Sequence, residues 1–138
     1  MMITNPSDEK IKQILQEAKR IAVVGLSGNP DRTSYMVSAA MQHAGYEIIP
    51  VNPTVDEVLG EKAVPSLQDI EGAVDIVNVF RRSEHLPDVA RETVEIGAPV
   101  FWAQLGLENK EAYDYLQQHG VTSIMNRCIK VEHAKFKA

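Results

Sequence analysis

The sequence predicts one α/β domain built on a doubly wound, five-stranded parallel sheet. Short, unbroken apolar runs alternate with amphipathic helical stretches, a pattern that belongs to a parallel sheet covered on both faces. Each run ends in glycine, polar or arginine residues, at the edge where such sheets carry ligands. Right-handed crossovers give the strand order 3-2-1-4-5 most simply. At 138 residues the chain, 1–138, has the length of a single domain with a real core.

Residues 7–19 read as a helix: Ile11, Ile14, Leu15 and Ala18 share one face, and Ser7, Asp8 and Glu9 suit its N-terminus. The first strand is 21–24, and a helix over 34–44 is stopped by Gly45. The second strand, 47–51, closes on Asn52-Pro53. A loop with Gly60 and Pro65 follows, containing a short segment near Ala63-Val64 and one helical turn at 66–70. The third strand is 75–80. The helix after it, 84–96, carries Leu86, Val89, Ala90, Thr93 and Val94 along one side. A fourth strand at 99–103, a helix at 110–119 ended by Gly120, and a fifth strand at 122–125 complete the alternation. The tail, 131–138, is polar and basic and takes no assignment.

A net charge of -5 argues against nucleic acid, which demands a basic face, but leaves room for a phosphorylated small molecule. No apolar run is long enough to span a bilayer, so no membrane partner is expected. The N-terminus has no basic region followed by an apolar one. The one cysteine, Cys128, cannot form an internal disulfide, and the cytoplasm is the expected compartment.

The stretch IAVVGLSGNPDRTSY (21–35) carries the most functional information. A strand ends in a Gly/Ser turn and enters a helix, the Rossmann-like layout of a nucleotide-phosphate site. The dinucleotide frame G-x-G-x-x-G here reads Gly25-x-Ser27-x-x-Pro30, and no Walker lysine is present. Gly25, Leu26, Ser27 and Gly28 either cradle a phosphate through backbone N–H groups and the Ser27 hydroxyl, or simply turn the chain. Ser34 and Tyr35 open the helix; Ser34 serves the site or only caps the helix. Arg32 is a phosphate partner or a solvated loop charge. Strand two ends in Asn52-Pro53 where an NAD site wants an acid for the ribose, which disfavours a dinucleotide oxidoreductase.

Arg81-Arg82, after Phe80 at the end of strand three, suit a multiply phosphorylated ligand; the alternative is a surface pair bridging to Glu84 or Asp88. Trp102 and Gln104 alternate onto one face at the end of strand four, Trp102 as core or ligand platform and Gln104 as a polar contact. Cys128 follows strand five. It is either a small packed residue or, with Arg127 and Lys130 beside it, a thiolate-prone one. The four histidines form no H-x-x-x-H or Cys/His cluster, so no metal site is expected. No G-x-S-x-G elbow and no nucleophile–base–orienter set can be assembled.

Five stretches, IAVVGLS (21–27), GYEIIPVNP (45–53), VDIVNVFRR (74–82), WAQLG (102–106) and MNRCIKVE (125–132), resemble small bacterial and archaeal CoA-binding proteins. These are similar to a free-standing N-terminal CoA-binding domain of the succinyl-CoA synthetase α subunit. The resemblance implies coenzyme A across the strand ends. It places phosphates on Gly25 to Gly28, Arg32 and Ser34. It places the nucleotide portion by Asn52, Pro53, Phe80, Arg81 and Arg82, and the pantetheine near Trp102, Gln104 and the Asn126, Arg127, Cys128 turn. The synthetase also needs a second domain with a phosphorylated histidine and a separate subunit, which these residues do not supply. The expectation is a module that binds CoA or acyl-CoA, as sensor, carrier or regulator without catalysis of its own, with a homo-oligomer or protein partner left open. The alternatives are an oxidoreductase or transferase using another nucleotide, and an interaction module with an empty site.

Overall fold

The strands of the main sheet are buried almost throughout, as their apolar runs require. The computed structural model describes residues 2–137; Met1 and Ala138, the two ends of the expected domain, lie outside the described residues. Five parallel strands, β1 (Arg20–Val24), β2 (Glu47–Val51), β5 (Ile76–Val79), β6 (Val100–Ala103) and β7 (Thr122–Ile124), form the sheet in the order β2-β1-β5-β6-β7. Alternate residues feed two cores. Ala22, Val24, Val77, Val79, Phe101 and Ala103 face α3 (Leu86–Glu95) and α4 (Lys110–Gln118). Ile21, Val23, Ile76, Val100 and Trp102 face α1 (Asp8–Glu17), α2 (Thr33–His43) and α5 (Ile129–Phe136). The doubly wound parallel sheet therefore agrees with expectation.

The strand order needs a correction. The segment expected as strand three, now β5, pairs with β1 and not beyond β2. The place beside β2 is held by a single parallel bridge between Val51 and Val64. Counting that bridge as the third member restores 3-2-1-4-5, with β7 as a sixth; the five full strands alone read 2-1-3-4-5. Both arrangements put the topological switch point beside β1, where ligands bind in such sheets.

Two elements were not expected. Residues 57–62 form a small hairpin, β3 (Glu57–Val58) and β4 (Glu61–Lys62). Its two-residue turn places Leu59 at φ 57° and Gly60 at φ 77°, the positive pair that matches strand twist. The tail forms α5, with Ile129 and Glu132 buried against the second core. Helix α1 begins one residue later than expected because Ser7 is its cap, accepting from the Lys10 N–H at 3.2 Å. Helix α2 begins at Thr33, one residue early, with Arg32 in the cap position.

Polar braces pin the sheet. The Asp75 carboxylate accepts from the Lys19 and Arg20 amides at 2.8 and 2.9 Å, fixing where β1 starts. At the outer edge of β7 the Asn5 side chain both donates to the Met125 carbonyl and accepts from its N–H, each at 2.8 Å.

Candidate functional site

The C-terminal ends of β1 and β5 meet at Gly25 and Phe80. Gly25 has φ +86°, and a Cβ there would lie 2.7 Å from the Phe80 carbonyl oxygen and 3.3 Å from Arg81 Cδ. Only glycine allows this approach. The Gly25 N–H is used by the Val51 carbonyl at 2.9 Å, so this residue shapes the turn and offers no amide to a ligand. Gly28 is exposed, its added Cβ meeting nothing closer than Val55 at 3.7 Å.

The turn wires itself internally. The Ser27 N–H donates to Ser34 Oγ at 3.0 Å, and the Asn29 N–H donates to Ser27 Oγ at 3.0 Å. Ser34 is therefore not the helix cap: its oxygen holds the turn, and its hydroxyl keeps a proton to donate into the cavity that it lines. The Ser27 amide is occupied, while the Ser27 hydroxyl, here an acceptor, keeps its proton to donate. No side chain caps α2 at Arg32, which leaves the first-turn N–H groups of that helix without a side-chain acceptor. Anions are stabilised at such a position.

Around this turn lies an open polar cavity of about 420 Å³, lined by Gly25, Ser27, Arg32, Thr33, Ser34 and Phe80, with Asp31 as its one acid. A second cavity of about 400 Å³ shares Thr33 and Phe80 with the first. Its walls are largely apolar: Leu105, Leu107, Cys128 and the Gln104 side chain, with Arg81 and Arg82 at the rim. The two form adjoining lobes, one suited to anionic groups and one to an apolar arm.

The remaining expected residues divide sharply. Trp102 is 0% exposed, packs in the second core and donates Nε1–H to the Arg127 carbonyl at 2.9 Å. It braces the β7 turn from inside and is not a ligand platform. Asn52 donates to the Leu26 carbonyl at 2.9 Å and accepts from the Thr54 N–H and hydroxyl at 2.9 and 2.7 Å. Its side chain ties the phosphate turn to the loop after β2. Leu26 is wholly buried, Pro53 is exposed in that loop, and Tyr35 is half-buried against the second core; none of the three lines either lobe. Asn126, at φ 60°, accepts from the Gly106 N–H at 2.7 Å and clasps the two neighbouring loops together. Arg127 pairs with the buried Glu132 at 3.5 Å.

Gln104 is the polar residue that reaches the apolar lobe from the core. Its amide donates to Asn78 Oδ1, and its oxygen accepts from the Ile129 N–H at 3.3 Å, tying the floor of the lobe to the start of α5. Arg81 has no ion-pair partner among the described residues, whereas Arg82, 85% exposed, lies 3.8 Å from Glu84. Asp88 pairs with Arg91 instead. Cys128 is half-buried in the wall of the apolar lobe.

Sequence reasoning missed Thr33, Leu105 and Leu107. Thr33 was passed over because the helix start was placed one residue late. The two leucines lay in a quoted strand-end stretch or beside it, but an apolar residue in a loop carries no chemical flag. Among the described residues no cluster of His, Cys, Asp and Glu could hold a metal ion. No described helix is long and apolar enough to cross a membrane.

Comparison with known proteins adds a family. The profile of a family described as a CoA binding domain matches residues 19–134. The chain is 68% identical over 133 residues to YneT of Bacillus subtilis (strain 168), covering 96% of this chain and 98% of that protein. It is 28% identical over 131 residues to the α subunit of an ADP-forming acetate–CoA ligase II from Pyrococcus furiosus. That match takes in 86% of this chain but only 29% of the subunit. A solved structure from Pyrococcus horikoshii OT3 superposes with TM-score 0.93 at 34% identity, covering both chains completely.

Proposed function

The chain belongs to the CoA-binding domain family, and from that premise we propose that it binds coenzyme A or acyl-CoA across the β1–β5 switch point. The observation that carries the reading is the pair of adjoining lobes sharing Thr33 and Phe80. Coenzyme A is an anionic nucleotide joined to a long, weakly polar thiol arm, and the lobes offer those two environments side by side. The uncapped start of α2 and the Ser27 hydroxyl face the phosphate groups, while Arg81 screens their charge from the rim. The arm lies along Leu105, Leu107 and the Gln104 amide, towards Cys128.

The module binds without catalysing: it senses, carries or presents the thioester, and the chemistry belongs to a partner. Asn52 supports this choice over an NAD-dependent oxidoreductase. Its side-chain oxygen already accepts from the Thr54 N–H and hydroxyl, so it does not stand free for ribose hydroxyls as a carboxylate there would.

Mass spectrometry of the undenatured purified protein, followed by calorimetric titration with CoA, NAD and NADP, tests the reading. CoA binding more tightly than either dinucleotide is expected. NAD binding equal to or tighter than CoA overturns it.

A further inference from the structure

The apolar lobe continues into exposed surface. Four large apolar residues are exposed among the described residues: Met2, Met36, Leu105 and Val131. Three of them belong to the elements that wall the lobe. Leu105, 71% exposed, lines it directly. Met36, 51% exposed, follows the lobe residue Thr33 by three positions on α2, and Val131, 59% exposed, stands on the first turn of α5, three positions after its N-cap residue Cys128. Residues three apart on a helix share a face, and α2 and α5 pack together. An apolar collar therefore runs from Leu105 at the mouth of the lobe onto α2 and α5, where singly scattered surface residues would not gather.

We propose that the collar, beyond the lobe that takes the thiol arm, binds the hydrocarbon chain of an acyl-CoA thioester, so that the physiological ligand is an apolar acyl-CoA and not free CoA. The inference rests on the CoA reading above and adds the class of acyl group. The occupant is fixed by continuity: a thiol arm that fills the lobe delivers whatever its sulfur carries to the exposed apolar surface that begins at Leu105. Arg81 and Arg82 stand at the same rim and define the competing outcome, an acidic acyl group paired with guanidinium.

Calorimetric titration with CoA, acetyl-, butyryl-, hexanoyl- and succinyl-CoA on the intact chain decides the matter. Burial of a methylene corresponds to about 0.8 kcal/mol, or about fourfold in affinity. On this half-exposed collar about two- to fourfold per methylene is expected, hence about 15-fold or more between acetyl- and hexanoyl-CoA. Succinyl-CoA should bind more weakly than butyryl-CoA, which has the same number of acyl carbons. In Leu105→Asp the ratio of hexanoyl- to acetyl-CoA affinity, measured within that variant, should collapse to within about threefold; the exposed position makes the substitution compatible with folding. Tight CoA binding with no gain along the acyl series overturns this proposal and leaves the CoA reading standing. Succinyl-CoA tighter than butyryl-CoA overturns it in favour of the arginine pair. Failure of every CoA compound to bind overturns both readings. A dimer that dissociates in Leu105→Asp, with acyl chains making no difference, assigns the collar to a second copy and also overturns the proposal.

Discussion

Arg81 and Arg82 are neighbours in sequence but unequal in the structure, and their substitution by alanine should separate them. The Arg81 stem passes over the phosphate turn, its Cδ within 3.3 Å of the point where a Gly25 Cβ would sit. No carboxylate pairs with its guanidinium among the described residues, so it is free to meet a phosphate. Arg82 is 85% exposed and shares its charge with Glu84 at 3.8 Å. A charge-assisted hydrogen bond contributes about 1.5–3 kcal/mol, so Arg81→Ala should weaken CoA by about 10- to 150-fold. An exposed ion pair is worth about 0–1 kcal/mol, so Arg82→Ala should cost about fivefold or less. Titration calorimetry at low and high salt measures both, and the Arg81 contribution should shrink as salt rises. Equal losses, or a larger loss at Arg82, would refute the reasoning and move the phosphates outward to the loop.

Three further expectations follow from the same geometry. Gly25→Ala forces a Cβ onto the Phe80 carbonyl at positive φ, and should lower unfolding free energy by about 1–3 kcal/mol as well as weaken CoA; an unchanged denaturation midpoint would show that the turn relaxes freely. Trp102→Phe leaves the part-buried Arg127 carbonyl without its donor and a gap where the fully buried indole packs, and should cost about 1–3 kcal/mol of stability. Because Trp102 lines neither lobe, the folded variant should bind CoA within a fewfold of the parent, and a much larger affinity loss would return the tryptophan to the site. Glu92 has its carboxyl pushed up by burial, then by Glu95 and Asp88, with Arg81 pulling the other way. A carboxyl raised in the folded state favours folding while protonated, and that contribution is lost as pH rises from the ordinary carboxylate range through the folded value. Glu92→Gln should therefore raise the melting temperature at pH 7, and the gain should vanish at about pH 4 and below, where both side chains are neutral; a gain that persists there would trace to packing instead of charge.

The sequence pattern made the sheet legible because buried parallel strands are unbroken apolar runs, and Ile21, Val77 and Phe101 announce themselves. Their ends were legible too: Gly25, Phe80, Gln104 and Cys128 do meet at one edge. The position beside β2 was not, since one bridging residue, Val64, has no periodicity to read. The hairpin escaped because its turn puts Leu59, a poor candidate for positive φ, where asparagine or glycine would have signalled it. Helix α5 escaped because one of its buried positions is Glu132, which hides the apolar stripe. At the site, residue type misled where polar side chains turned inward. Asn52, Ser34 and Asn126 look like ligand contacts, yet the side-chain oxygen of each accepts from a neighbouring backbone N–H. Leu105 and Leu107 look like nothing in particular and line the lobe.

The Asn5 side chain that grips Met125 from both sides has a colloidal consequence. An amide group donating and accepting in register imitates one residue of a neighbouring strand, so the outer edge of β7 is stoppered at its end. The opposite edge, β2, is stoppered by the Val64 bridge. Open strand edges are templates on which chains recruit one another into aggregates. Displacing the segment that carries Asn5 would lift only Ile3 from the first core while uncovering that template. At the β7 edge, resistance to clumping at high concentration thus rests on one short side chain whose partner lies 120 residues away.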